Sequence, residues 1–312
     1  MDFSEYTLVS FGDSFTFGED TVPGPEFLMT ENFSHLNCNF NTELEQKYIS
    51  ECHSNAYTQF LAESLGFKDS LNFGTRGSSN ERSMTNLESF LRSNPKKKVF
   101  VLFNFTNSSR YVQFFKEEKG EEYSVEDMLA HQSSFPSDSP KYIGINSKII
   151  AQNWTYFRNS MQDVYSHVKH RRMVYYILSS YNIPYVTFDG INDTDAVMIK
   201  NNSLKYINKT NIGGGYGNFM YNDDENYVFK EMDFLNSYYQ ELIDKSPLLT
   251  HLVFLDSHEL EVPNMFAYIR TLAKSQPFNN PDYFTGLTDH WNTEGHIEVA
   301  KRIEKFINER YN

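Results

Sequence analysis

The chain has 312 residues and carries 41 acidic against 28 basic side chains, a formal net charge of −13. This charge argues against nucleic acid as a partner, because binding a polyanion requires a basic face that replaces the phosphate counterions. No apolar run approaches the roughly 20 residues that span a bilayer, and residues 1–12 lack the basic and apolar regions of a signal peptide. We therefore expect a cytoplasmic protein without a membrane span, and the Asn-rich, Cys-poor composition suits a bacterial or phage protein.

The first predicted strand, Thr7–Phe11, leads into the tight turn Gly12-Asp13-Ser14. Glycine lets the chain turn sharply there and leaves the serine hydroxyl at the mouth of a crevice. The alternative is a polar strand-to-helix turn in which Asp13 or Ser14 only caps a helix.

A helix is predicted next over Ser54–Leu65, followed by a second strand at Leu71–Phe73. The loop after that strand contains Gly77, which would bring a backbone N–H close to a ligand, as an oxyanion hole requires. The alternative is an ordinary Gly/Ser loop that leads into the next predicted helix, Met84–Leu91.

Three further apolar runs predict strands at Val99–Phe103, Pro184–Phe188 and Leu252–Leu255. Five strands alternating with helices predict a three-layer α/β/α sandwich around a five-stranded parallel sheet, with ligands at the carboxyl ends of the strands. We expect one domain over residues 1–312. Its long connections near 19–53, 106–150 and 190–223 exceed normal loop lengths, and loops of this kind shape specificity.

The last predicted element is a helix with apolar residues from Ile297 to Phe306 at helical spacing. Ahead of it stands the segment His290–His296, in which helix capping explains Asn292 but does not require His290. A histidine on a loop rather than on an apolar face is a candidate for chemistry.

Two cysteines, Cys38 and Cys52, lie near His35 and His53. Zinc ligands are usually paired two to four residues apart, and Cys52 and His53 are adjacent. We therefore predict free thiols, with no metal and no other cofactor.

Three of these segments together resemble the SGNH/GDSL hydrolase superfamily. Gly12-Asp13-Ser14 matches its first block, Asn72 through Gly77 its second (Asn-x-Gly-x-x-Gly), and His290-x-Asn-x-x-Gly-His its last. The resemblance implies a flavodoxin-like sandwich with Ser14 as nucleophile and His290 as general base. It also implies that the N–H groups of Ser14 and Gly77 stabilise an oxyanion.

The third block of the family, Gly-x-Asn-Asp, is replaced here by a segment that starts at Asn104. Asn107 is the preferred third oxyanion donor because its amide is a neutral donor, and Thr106 is the alternative by strict register. Arg110 is a candidate to hold a substrate anion, although an arginine past a strand is more often a solvated surface charge.

The acid that would orient His290 also departs from the family pattern. The family places an aspartate three or two residues before the histidine, where this chain has Leu287 and Thr288. The nearest acid is Asp289, which reaches the ring only if the loop turns at that point. The alternative groups that could orient His290 are a backbone carbonyl and Asp282.

The predicted activity is hydrolysis of an ester through an acyl-serine, on a small-molecule or carbohydrate substrate such as a sugar O-acetyl ester. The predicted substrate-binding residues are Asp13, Asn80, Arg110 and Trp291. Acyl transfer to a sugar hydroxyl on the same site is one alternative. A binding or structural protein that keeps the fold without catalysis is the other.

Overall fold

The computed structural model describes eleven stretches of the chain and gives no account of the residues between them. The described residues are 1–22, 43–106, 110–116, 123–129, 160–190, 251–252, 254–255, 261–262, 264–275, 284 and 290–311. Within this part of the chain, no helix has both the length and the apolar character that crossing a bilayer requires.

The strands form one parallel sheet and two short antiparallel ribbons. They are β1 (Thr7–Gly12), β2 (Asp69–Gly74), β3 (Val99–Phe105), β4 (Arg110–Lys116), β5 (Tyr123–Leu129), β6 (Tyr185–Asp189), β7 (Phe254–Leu255) and β8 (Glu261–Val262). The parallel sheet has the order β2-β1-β3-β6, while β4 pairs with β5 and β7 with β8. The first strand therefore lies inside the sheet, as expected for a flavodoxin-like order.

A short 3-10 helix, Phe3–Glu5, precedes β1, and seven α-helices follow along the described part of the chain. They are α1 (Ser14–Phe17), α2 (Glu43–Ser54), α3 (Tyr57–Leu65), α4 (Asn80–Ser93), α5 (Ser160–Ser180), α6 (Met265–Ser275) and α7 (Thr293–Tyr311).

Helices cover both faces of the parallel sheet. Because side chains alternate along a strand, Leu8 of β1 points to one face and Val9 to the other. The Leu8 face packs against α3, α6 and α7, and the Val9 face packs against α4 and α5. This arrangement confirms the predicted three-layer α/β/α sandwich.

The number of strands in the sheet differs from the prediction. The described residues contain four parallel strands, and directly before the predicted fifth strand, Leu252–Leu255, an isolated parallel bridge joins His251 to Thr187 of β6. The N–H of Leu252 donates to the carbonyl of Thr187 at 2.8 Å. Phe254 then pairs with Val262 instead, so the ladder with β6 does not continue.

One predicted helix has different bounds in the structure, and two of the predicted long connections contain secondary structure. The helix predicted from Ser54 is interrupted because Ala56 is extended (ψ 155°), so α3 begins at Tyr57. The long connection near 19–53 contains α2, and the one near 106–150 contains the β4–β5 hairpin. The connection near 190–223 lies outside the described residues after Gly190.

The strand register places the functional segments together. Gly12 at the end of β1 is opposite Gly74 at the end of β2, and Phe11 is opposite Phe103 of β3. The chain segments that follow these three strands therefore leave the same edge of the sheet side by side, where ligands of such folds bind.

Candidate active site

Ser14 is the first residue of the short helix α1, directly after β1. Asp13 is extended and caps this helix, and Gly18 ends it in the left-handed region at φ 88°. A side chain at Gly12 would place its Cβ 2.2 Å from the Oγ1 of Thr16, so only glycine allows this close approach of strand and helix. The helix-capping role considered for Asp13 is therefore present, and the same turn holds Ser14 at the start of α1.

The carboxylate of Asp13 is fully buried and is held by three donors. Its Oδ1 accepts from the backbone N–H of Phe15 at 3.1 Å and from the Nδ2 of Asn104 at 3.5 Å. Its Oδ2 accepts from the hydroxyl of Thr106 at 2.7 Å. The structure places this side chain under the serine turn and inside the protein.

Ser14 and His290 meet although 276 positions separate them in the chain. The Nε2 of His290 lies 2.7 Å from the Oγ of Ser14. Ser14 is 3% exposed, and the side chain of His290 is 20% exposed. The pair is therefore in hydrogen-bonding contact and open to solvent on the histidine side.

The loop that carries His290 is docked on the serine turn. The ring of Phe15 lies 4.8 Å from the ring of His290 and 4.7 Å from that of Trp291, between ring centroids. Trp291 is fully buried. The hydroxyl of Thr293 donates to the carbonyl of Thr21 at 3.0 Å, which ties the start of α7 to the segment after α1.

Two acids after α1 face His290, and neither was singled out in the sequence. Glu19 is buried and its Oε2 lies 3.5 Å from the His290 Nε2, while the Oδ2 of Asp20 accepts from the backbone N–H of His290 at 3.4 Å. The sequence feature that could have indicated them is their position, five and six residues after Ser14. In the structure the N–H of Glu19 donates to the carbonyl of Ser14 at 3.1 Å. The predicted orienting acid Asp289 and the alternative Asp282 lie outside the described residues.

The second block lies against the serine turn. The N–H of Thr75 donates to the carbonyl of Gly12 at 3.1 Å, and the Nδ2 of Asn72 donates to the carbonyl of Thr16 at 2.6 Å. Gly77 has φ 70°, in the left-handed region that favours glycine. The asparagine of this block thus holds the loop, and Gly77 follows in a backbone conformation that other residues rarely adopt.

The segment after β3 is joined to the second block by Asn80. The Oδ1 of Asn80 accepts from the N–H of Thr106 at 2.9 Å, and its Nδ2 donates to the carbonyl of Thr106 at 3.0 Å. Asn80 is fully buried. Asn107 lies outside the described residues, and for Arg110 only its place as the first residue of β4 is described.

Three of the predicted substrate-binding residues therefore lie inside the protein. Asp13, Asn80 and Trp291 are all fully buried, and the polar groups of the first two are occupied by protein partners. The structure brings them to the site as supports of the serine turn, the second loop and the histidine loop.

The second histidine of the last block has a structural environment. The Nδ1 of His296 accepts from the backbone N–H of Tyr57 at 3.2 Å, which caps α3 where Ala56 offers no side-chain cap. Complete burial, with a contribution from nearby His290, lowers the pKa of His296 to about 3. His296 is therefore neutral and joins α7 to α3.

Cys52 and His53, two of the residues considered for zinc, lie in the last turn of α2. Burial raises the pKa of the Cys52 thiol to about 11 and lowers the pKa of His53 to about 4. The described residues contain no group of three or more His, Cys, Asp or Glu side chains arranged for a metal ion. His35 and Cys38 lie outside the described residues.

Comparison with known proteins gives likenesses of fold only. The chain is similar to an acetyl xylan esterase, AlAXEase, with 12% identity over 96% of this chain and 98% of that one, at a TM-score of 0.39. It is also similar to a member of the lipolytic protein G-D-S-L family from Veillonella parvula DSM 2008, with 14% identity over 97% of each chain and a TM-score of 0.36. No family model matches the sequence, and no curated protein matches it.

Proposed function

We propose that this chain is a serine esterase of the SGNH/GDSL type, with Ser14 as the nucleophile and His290 as its general base. The observation that supports this most strongly is the 2.7 Å contact between the Ser14 Oγ and the His290 Nε2. A hydroxyl and an imidazole in hydrogen-bonding contact at the carboxyl edge of a parallel sheet are the minimum apparatus for acyl transfer.

The reaction starts when the Ser14 Oγ attacks the ester carbonyl carbon. The Oγ–H bond breaks, the proton passes to the Nε2 of His290, and the carbonyl π electrons move to the oxygen. The tetrahedral intermediate then expels the alkoxide, which takes the proton from His290 and leaves as the alcohol. Water attacks the acyl-serine by the same steps and releases the acid.

The oxyanion is proposed to be held by the backbone N–H groups of Ser14 and Gly77. Support comes from the docked second loop, in which the N–H of Thr75 is bonded to the carbonyl of Gly12 beside the serine turn. Asn107 is the proposed third donor. Each donor in such a hole is worth about 2.7 to 4 kcal/mol of transition-state stabilisation.

The substrate is proposed to be a small or carbohydrate ester, in particular an O-acetyl ester. Aromatic residues make up 16% of the chain, and aromatic rings in a cleft stack on sugar faces. Turnover of sugar acetates should exceed that of long-chain acyl esters. A preference for long acyl chains would overturn this assignment of substrate.

Acyl transfer to a sugar hydroxyl was suggested in the sequence by Trp291 next to His290. Because Trp291 is fully buried, it supports the histidine loop and offers no stacking surface to an acceptor. Products formed in the presence of a sugar acceptor separate the two reactions, since transfer yields an acylated sugar where hydrolysis yields free acid.

The test is labelling of the full chain by a fluorophosphonate probe together with hydrolysis of p-nitrophenyl acetate. Wild type should be labelled at one serine, and Ser14→Ala should be neither labelled nor active. Ser4→Ala is the matched control, because Ser4 lies exposed before β1 and its hydroxyl donates to the exposed Asp2. Absence of labelling in wild type would favour a non-catalytic protein with this fold.

A further inference from the structure

A buried ion pair lies beside the Ser14–His290 contact. Arg76, in the loop after β2, forms an ion pair through its Nη2 with the Oε1 of Glu19, after α1. The two side chains are 9% and 6% exposed. The mechanism proposed above uses neither residue. Burying two charges is costly, and only close pairing offsets the cost of desolvation.

The second oxygen of Glu19 faces the histidine. The Oε2 lies 3.5 Å from the His290 Nε2, the same nitrogen that contacts the Ser14 Oγ. In acyl transfer the serine proton arrives on this nitrogen. The carboxylate is therefore next to the atom on which positive charge develops, where an opposite charge stabilises the protonated ring.

We propose that Glu19 and Arg76 act as a positioning and charge-balancing pair that sets the charge state of His290. This inference rests on the proposed function for its catalytic meaning. The Glu19 carboxylate stabilises the imidazolium that forms during proton transfer, and the Arg76 guanidinium partly offsets the negative charge of that carboxylate.

Other groups also face His290 from the segments packed against it. The Asp20 carboxylate faces the backbone N–H of His290, and the rings of Phe15 and Trp291 form the apolar side of the loop. His296 is buried and neutral. Asp289 is adjacent in sequence and lies outside the described residues.

The pair also joins two segments whose relative position matters for the proposed reaction. Glu19 follows the nucleophile helix, and Arg76 precedes Gly77, so their contact ties the serine turn to the second loop. A purely structural tie would lower activity at every pH when broken. A charge-balancing pair would move the pH dependence, and the two partners would move it in opposite directions.

Glu19→Gln removes the negative charge and keeps the shape. The acidic limb of the kcat/KM profile should move to lower pH by about one unit, because the protonated ring loses its nearest counter-charge. The kcat at the plateau should fall about tenfold, since the imidazolium in the transition state loses the same support. Glu19→Asp, which keeps the charge, should restore part of both effects.

Arg76→Gln should move the acidic limb in the opposite direction, to higher pH by about half a unit or more, because the Glu19 carboxylate is no longer offset. Arg76→Lys keeps a positive charge and should return the limb toward its wild-type position. Glu88→Gln is the matched control, because it removes one acid from the exposed Glu88–Arg92 pair of α4 and should leave the profile unchanged.

A readout independent of turnover separates this inference from the proposed function. The histidine ring signals of the full chain are followed by NMR against pH, with His290 assigned by loss of its signals in His290→Gln. Opposite displacements of its titration midpoint in Glu19→Gln and Arg76→Gln support the pair even if no esterase activity is found. Unchanged midpoints, or displacements in the same direction, would overturn it whatever the activity.

Discussion

Two parts of this molecule carry the same three chemical groups, a hydroxyl, a histidine and a carboxylate. In the candidate active-site cluster, Ser14 contacts His290, and Glu19 lies beside the same ring. In a second cluster on β6, defined as Thr187, Asp189, His167 and His251, the hydroxyl of Thr187 lies 2.9 Å from the Nδ1 of His251. The Nε2 atoms of His251 and His167 lie 3.3 and 3.1 Å from the two oxygens of Asp189.

The two clusters differ in access and in the backbone that carries the hydroxyl. The side chain of His290 is 20% exposed, whereas those of His251 and His167 are 8% and 0% exposed. Ser14 stands on a turn after its strand, while Thr187 stands within β6 between Phe103 and the His251 bridge. The hydroxyl residues themselves do not differ in this way, since Ser14 is 3% and Thr187 8% exposed. The clusters are therefore distinguished by the exposure of the histidine and by the backbone position of the hydroxyl, and not by their chemical groups.

The largest difference expected between the clusters is in hydrolysis. Ser14→Ala and His290→Ala should each lower kcat/KM for p-nitrophenyl acetate by about 10³-fold or more, because each removes a member of the proton-transfer pair. Thr187→Val, the corresponding change in the β6 cluster, should retain activity. Activity retained in Ser14→Ala, or lost in a folded Thr187→Val, would contradict the assignment of hydrolysis to the Ser14–His290 pair.

The β6 cluster should instead respond in stability. Asp189→Asn should lower the free energy of unfolding by about 3 kcal/mol, because the buried His167 and the nearly buried side chain of His251 lose a shared carboxylate. Chemical denaturation followed by circular dichroism measures this, with kcat of the folded fraction measured in parallel. A fall in kcat at unchanged stability would show that the cluster takes part in the reaction.

The histidine supports should make stability depend on pH. Folding keeps His296 neutral because its pKa is lowered from 6.5 to about 3, so its contribution is complete above pH 6.5 and is lost as pH falls from there toward 3. Between pH 7 and pH 5 this loss should be about 2 kcal/mol. In His296→Asn the slope of unfolding free energy against pH should be smaller, with His53 contributing part of what remains. An equal slope in both proteins would contradict this account.

The smallest expected effect is at the support of the serine turn. Thr106→Val removes the donor that contacts the Oδ2 of Asp13 and should lower the free energy of unfolding by about 1.5 kcal/mol, as for one hydrogen bond to a charged group. Because Asp13 holds the Ser14 turn, kcat should also fall, by less than in Ser14→Ala. Thr85→Val, on the exposed face of α4, is the control and should change neither. An unchanged kcat would place Thr106 outside the support of the nucleophile.

Short-range patterns were sufficient for most of the fold. Strands β1, β3 and β6 were predictable because apolar runs between amphipathic stretches indicate a sheet covered on both faces. The interruption at Ala56 and the single bridge at His251 were not, since both depend on neighbours distant in sequence. The new helix begins at Tyr57, whose backbone N–H donates to the Nδ1 of His296, 239 positions later in the chain.

The same distinction between local patterns and distant neighbours applies to the candidate site. The sequence by itself determined which turn carries Ser14, which loop carries Gly77 and which segment carries His290, because each of these is a local motif of backbone and side-chain type. The tertiary structure alone decided that Asp13, Asn80 and Trp291 are buried supports and that Glu19 and Arg76 lie beside His290. Burial and charge pairing depend on which distant segments the sheet edge brings together, and no local pattern encodes that.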